Sequence, residues 1–350
     1  MSLGSRLAVF AAAVASLSPL PSFADEAARP PGATKLTLIN GWKTYSGSSK
    51  PEIFAYKGIV RLKGAIKEIH GSNAEPFVIP APFRPAATVV IKLDLCDAAN
   101  GMLIVNPDGS TEIGAENSFS DAQCFSSLDG VTYSLSTDGY HKLKLTDGWL
   151  PFGDGTAAPA ARAAGNVVRF QGAMTGGSGV AAFTVPASLR PQSAVWIPLD
   201  MSGASNGRIG VFPDGSVFVQ SEFSTAVAQA FTSLDGAYYA MDTTGFTALT
   251  LINGWSADTV DDSFAPGVRL DHGVVEFQGA ITLSSGSSDN PFVLPPEMRP
   301  SRTVYVAVDM NQSVNGRLEI SPNGTVYVGA ESGANDPFGF VSLDGVSFHL

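Results

Sequence analysis

Pro80-Ala81-Pro82-Phe83-Arg84-Pro85 returns as Pro186-Ala187-Ser188-Leu189-Arg190-Pro191 and again as Pro295-Pro296-Glu297-Met298-Arg299-Pro300. An apolar strand end precedes each copy (Phe77-Val78-Ile79, Phe183-Thr184-Val185, Phe292-Val293-Leu294), and a run of period two follows, as in Val89, Ile91, Leu93 and Leu95. Proline fixes φ and carries no N–H, so neither strand can run through the hinge. Three such hinges in one chain point to three copies of one β-domain.

Outward from the hinge, every landmark recurs in the same order. Trp42, Trp149 and Trp255 lie 107 and 106 residues apart, and a fixed period of this kind decides the fold reading before anything else. Thr37-Leu38-Ile39-Asn40-Gly41-Trp42 returns unchanged as Thr250 to Trp255. After the hinge come a strand with Asp94, Asp200 or Asp309 and a turn on Pro107-Asp108-Gly109, Pro213-Asp214-Gly215 or Pro322-Asn323-Gly324. Asp-Gly or Asn-Gly between apolar runs is a strong hairpin signal. The next strand ends at Glu116, Glu222 or Glu331, and each copy closes on Ser-Leu-Asp-Gly at Ser127, Ser233 or Ser342. Short strands parted by turn residues predict an all-β fold of antiparallel sandwiches over residues 35–135, 142–240 and 248–350.

Ahead of them, residues 1–24 read as a signal peptide: Arg6, an apolar stretch from Leu7 to Leu17, and Ser22-Phe23-Ala24 as cleavage site. That stretch is shorter than the roughly 20 residues a membrane span requires. Residues 25–34 read as a linker. The expected location is secreted or extracellular, with periplasm and cell surface as alternatives. A net charge of −11 argues against nucleic acid as a partner. Membrane insertion is not expected either.

The succession Asn-Gly-Trp, Pro-x-x-φ-Arg-Pro, Pro-Asp-Gly and Ser-Leu-Asp-Gly-Val resembles the C-terminal tip domain of bacteriophage and prophage tail-fibre proteins. Of the three copies the third resembles it most, finishing Val341-Ser342-Leu343-Asp344-Gly345-Val346-Ser347-Phe348. The resemblance covers residues 35–350. It implies a jelly-roll-like sandwich that trimerises and presents receptor-binding loops, and it carries no catalytic residues. Three copies in one chain, with connectors of only six and seven residues, lead to the expectation of a monomer folded as a single-chain pseudo-trimer.

Each recurring residue has a bland and a functional reading. Arg84, Arg190 and Arg299 could grip a sugar carboxylate, but their place beside a rigid proline favours bonding to a carboxylate or loop carbonyls of their own copy. Trp42, Trp149 and Trp255 could stack sugars, and the reading favours core plugs. Asp129, Asp235 and Asp344 read as turn caps. The Asp94/Glu116 pair and its counterparts could perform glycoside hydrolysis, but ion pairs or rim charges are favoured. Four scattered histidines make no zinc site. Asp258, Asp261 and Asp262 lack the spacing of a calcium loop, and a solvated acidic loop is preferred. No metal or cofactor is therefore expected. Cys96 and Cys124, the only cysteines, are expected to pair.

Ligand candidates are placed in the loops that differ between copies, on Asn73, Asn117, Phe119, Phe223, Asn290 and Asn335. The expected function is non-enzymatic recognition or adhesion, directed at a cell-surface glycan or a protein receptor. The alternative is a structural subunit of a surface or phage-derived assembly, and a secreted glycan hydrolase comes last.

Overall fold

The computed structural model describes residues 33–258, 262–334 and 336–350. Residues 1–24, nearly all of 25–34, Asp261 and Asn335 lie outside them. The described chain is all-β and antiparallel within its sheets, with two short α-helices, Phe119–Cys124 and Thr225–Ala230. Among the described residues no helix is long and apolar enough to cross a membrane.

Each repeat is sandwich-like. In the second, one layer is a four-stranded sheet of His141–Lys142, Ala160–Ala164, Val167–Gln171 and Tyr238–Ala240. The other layer is a seven-stranded sheet whose long members are Val195–Met201, Ser205–Val211 and Ser216–Ser221. The first and third repeats have the same four-stranded layer. Their second layer is split into two three-stranded sheets joined by single bridges, Leu95 to Ser126 and Met310 to Val341.

The hinge is a single 3-10 turn in every repeat: Ala81–Phe83, Ala187–Leu189 and Pro296–Met298. It is locked to the Pro-Asp-Gly hairpin. The residue ending the incoming strand donates its N–H to the turn glycine's carbonyl at 2.8 Å (Ile79 to Gly109, Val185 to Gly215, Leu294 to Gly324). Arg84 Nε donates to the carbonyl of Ile79 at 3.0 Å, and Arg299 Nε to that of Leu294 at 2.9 Å. The glycines have φ of +93°, +90° and +89°, and a Cβ on any of them would meet the arginine Nε within 2.6 Å. Glycine is required there for conformation and for space. Hinge and hairpin thus act as one device.

Three hydrophobic cores form, one per repeat, and Phe264 of the third repeat enters the core of the second. Trp42, Trp149 and Trp255 are 3–5% exposed, and each donates its indole N–H to a backbone carbonyl in the loop ahead of the hinge, at Asn73, Gly179 or Ser288. They are buried plugs that also pin a loop. Cys96 and Cys124 form a disulfide, Cα to Cα 5.7 Å.

The period-two runs are buried on one face and buried or half-buried on the other. Val90, Lys92 and Asp94 alternate with the core residues Ile91 and Leu93, yet Val90 is 6% and Asp94 2% exposed. Such alternation ordinarily marks a face turned to water. Here that face meets the sister repeats. Parallel bridges join Ser48 to Thr303, Thr88 to Thr156 and Ala194 to Ser263, so each repeat touches both others.

Candidate functional site at the junction of the three repeats

Ser-Leu-Asp-Gly is the fastening. Ser127 Oγ donates to the carbonyl of Tyr305, Ser233 Oγ to that of Val90 and Ser342 Oγ to that of Trp196, each at 2.6 Å. The aspartates add a second bond to the same neighbours. Asp129, Asp235 and Asp344 accept the N–H of Tyr305, Val90 and Trp196 through one oxygen. The other oxygen accepts the N–H of Gly64, Gly172 or Gly279 within the repeat. The turn-capping role expected of the aspartates belongs to the serines, whose Oγ accepts the aspartate N–H. Burial pushes the three carboxyls up to about 7, 6 and 7, against the backbone N–H bonds, which act downward.

A second set of contacts begins with cross-strand rows. Asp94 pairs with Asn100, Asp200 with Asn206 and Asp309 with Asn315. The N–H of Glu116, Glu222 or Glu331 is bonded to the carbonyl of the same asparagine. Residues opposite one another in a sheet share a face, so each repeat presents Asp, Asn and Glu side by side to the junction. The asparagines close a ring: Nδ2 of Asn100 donates to the carbonyl of Ala204, that of Asn206 to Ser313 and that of Asn315 to Ala98. All three accepting residues hold left-handed backbone, φ +58° to +62°. That conformation costs of order 1 kcal/mol or more per non-glycine residue and persists only where surroundings impose it.

Charge at this level is asymmetric. Arg317 pairs with Asp94 at 3.1 Å and Arg208 with Asp309 at 2.9 Å, both between repeats. Position by position (Gly101-Met102, Gly207-Arg208, Gly316-Arg317), the third arginine is replaced by Met102. Its would-be partner Asp200 is 1% exposed, and neither of its carboxylate oxygens has a hydrogen bond. Burial raises Asp200 well above the ordinary carboxyl range. Lys92, cross-strand from Met102, supplies the cation instead and donates to Oδ1 of Asn100 and Asn206. Burial lowers Lys92 to about 8, while the carboxylates around it act to raise it. The ion pairs favoured for Asp94 and Asp309 therefore run between repeats, and a rim placement is contradicted.

Glu116, Glu222 and Glu331 converge at the junction, with one carboxylate oxygen from each inside a 4.8 Å span. Glu116 Oε1 accepts the N–H of Asn206 at 3.1 Å, and Glu331 Oε1 accepts from Asn117 Nδ2 at 3.2 Å. The Oε2 atom of each is buried without a partner. Burial, followed by mutual repulsion, raises Glu222 to about 8 and Glu331 to about 7, and burial raises Glu116 as well. Three carboxylates this close cannot all ionise at neutral pH without a counter-charge. The set can share protons, with Lys92 close by, or hold a hard oxygen-seeking cation. The sequence alone did not bring these three glutamates together as possible metal ligands.

The loop candidates are only partly gathered. Asn73 and Phe119 both touch Trp42, the first through its carbonyl and the second edge-on at 6.4 Å. Asn117 reaches the glutamates. Asn290 is bonded within its own repeat, to Ser288, Val326 and Asn253. Phe223 is 59% exposed in the second repeat. Asp258, assigned to a solvated loop, is instead 4% exposed. No protein-family model, curated protein or solved structure matches the chain.

Proposed function

We propose that this chain is a secreted, non-enzymatic recognition protein that binds a cell-surface glycan or a protein receptor through its outer loops. Its three jelly-roll-like sandwiches form a single-chain pseudo-trimer in this reading. The observation that carries it is the contrast between inside and outside. The Ser-Leu-Asp-Gly fastening and the asparagine ring are kept in every repeat, whereas the outer loops differ in length and composition. Function on a repeated scaffold resides where the repeats diverge. The second repeat also exposes Leu150, Val180 and Phe223, at 61, 47 and 59%.

Binding of the exported protein to a glycan array and to whole cells tests the proposal. Saturable binding is expected, weakened by Phe223→Ala without a change in melting temperature. Absence of saturable binding to either would transfer the chain to the class of assembly subunits.

A further inference from the structure

The four-stranded layers of the three repeats also meet, and there they enclose a cavity of about 270 Å³. Its composition follows from three equivalent strands. Ile59–Lys63, Val167–Gln171 and Val274–Gln278 place Arg61, Arg169 and Glu276 at matching positions. The preceding strands place Phe54, Arg162 and Arg269 opposite them in register. Lys57, Ala164, Gly165 and Asp271 are exposed where the cavity opens.

The charges inside do not cancel. Glu276 is fully engaged: Arg269 binds it at 2.6 Å and Arg61 approaches it at 3.6 Å. Asp271 is bonded to His272 at 2.6 Å. Arg162 and Arg169 are left with no carboxylate among the described residues. Arg162 stacks on Tyr140 at 4.7 Å, and its Nε is buried without a hydrogen bond. Arg169 stacks on Tyr238 at 4.6 Å and makes no ion pair. Burial, followed by repulsion from Arg61, lowers Arg169 to about 10, while Tyr238, the more distant Glu276 and Tyr140 act to raise it. A buried guanidinium is ordinarily paired, because leaving it alone costs several kcal/mol. Here the unpaired guanidinium groups line a cavity, in a chain whose net charge is −11.

We infer that the cavity is an anion-binding site in which Arg162 and Arg169 hold the carboxylate of a small ligand, of the size of one acidic sugar residue. Planar guanidinium groups match an oxyanion in geometry as well as charge. Phe54 and Tyr56 supply an apolar wall for the body of the ligand. The volume lies just under the usual range for small-molecule pockets, about 300–1,000 Å³, so one ring fits and an oligosaccharide does not. The site is separate from the outer loops and does not depend on their binding a receptor.

The test is calorimetric titration with glucuronate, glucose and inorganic phosphate, paired with thermal melts. Glucuronate is expected to bind and to raise the melting temperature, with an affinity at least tenfold lower in 0.5 M NaCl; glucose is expected not to bind. Phosphate binding without glucuronate binding would replace the sugar acid with a phosphate group and overturn the assignment to a carboxylate. Arg169→Met removes a half-buried cation that makes no ion pair, so it should abolish glucuronate binding while leaving the ligand-free melting temperature unchanged or higher. Arg162→Gln should weaken binding at least tenfold. Failure of both anions to bind, or a sharp fall in the melting temperature of Arg169→Met, would overturn the proposal and make Arg169 a structural stacking partner of Tyr238.

Discussion

Lys92→Met is the most discriminating single change at the junction. It removes the cation that faces Glu116, Asp200, Glu222 and Glu331 but keeps an unbranched chain of similar length. Breaking a buried charge network by deleting one partner costs about 3–5 kcal/mol. That cost is capped, because each carboxylate can escape by retaining a proton at about 1.4 kcal/mol per pH unit. The loss should therefore depend on pH. At pH 7.5 we expect about 3 kcal/mol, seen by calorimetry or dye-based melting as a fall of about 4 °C for a chain of 350 residues, at roughly 2.1 cal/mol/K of unfolding entropy per residue. At pH 5 Glu222 and Glu331, raised by burial to about 8 and about 7, are protonated in both proteins, so the ammonium has less negative charge to neutralise and the two should melt within about 2 °C. An equal fall at both pH values would mean that Lys92 matters for packing alone. A fall below 2 °C at pH 7.5 would refute the electrostatic account altogether.

The parent protein should show a related trend. Asp94, Asp129, Asp235, Asp309 and Asp344 titrate at about 6–7 when folded, raised chiefly by burial, so the folded state holds more protons than the unfolded one between pH 4 and 7. Their stabilisation is complete below about pH 4 and fades as pH rises through 7, so melting at pH 5 should exceed melting at pH 8, and the reverse order would contradict it. Asp235→Ala strips the acceptor from the N–H groups of Gly172 and Val90. At about 1–3 kcal/mol for each buried group left bare, hydrogen exchange at both amides should accelerate, and an unchanged rate would count against the fastening role. Reducing Cys96–Cys124, whose separation is 28 residues, should cost about 3 kcal/mol, read as a lower melting temperature in reductant. Sedimentation should give a compact monomer; an obligate assembly of several chains would defeat the single-chain reading.

Much of the fold was legible because turn chemistry is local. Pro-x-x-x-Arg-Pro, Pro-Asp-Gly and the recurring tryptophan each report on a stretch of a few residues, and the hinge, hairpins and plugs fall where those signals stand. The site was not legible in the same way. Ser127 and Tyr305 are 178 residues apart, and Arg317 and Asp94 are 223, so nothing local joins them. Period-two alternation in Val89–Asp94 says that two faces differ, but it does not say whether the second faces water or another repeat. A signal was nonetheless present in the columns of the repeat. Asn-Gly-Met, Asn-Gly-Arg and Asn-Gly-Arg follow six residues after Asp94, Asp200 and Asp309, and a basic side chain at a fixed distance from a recurring acid invites the question of what it pairs with.

Those columns also bear on why three repeats share one chain. Where identical subunits meet, every position at the junction carries the same side chain three times. Three lysines at the position of Lys92 would crowd three ammonium groups beside three asparagines. Three arginines at the position of Arg61, with no Glu276 among them, would leave the cavity with no internal carboxylate at that level. In the chain, one lysine stands with Pro198 and Ala307 as its counterparts, and two arginines stand with one glutamate. One ammonium can then lie near three glutamates, and Glu276 can neutralise part of the cavity while Arg162 and Arg169 keep their charge free. Covalent linkage makes the encounter between repeats intramolecular, so each of the three positions in a column can change alone.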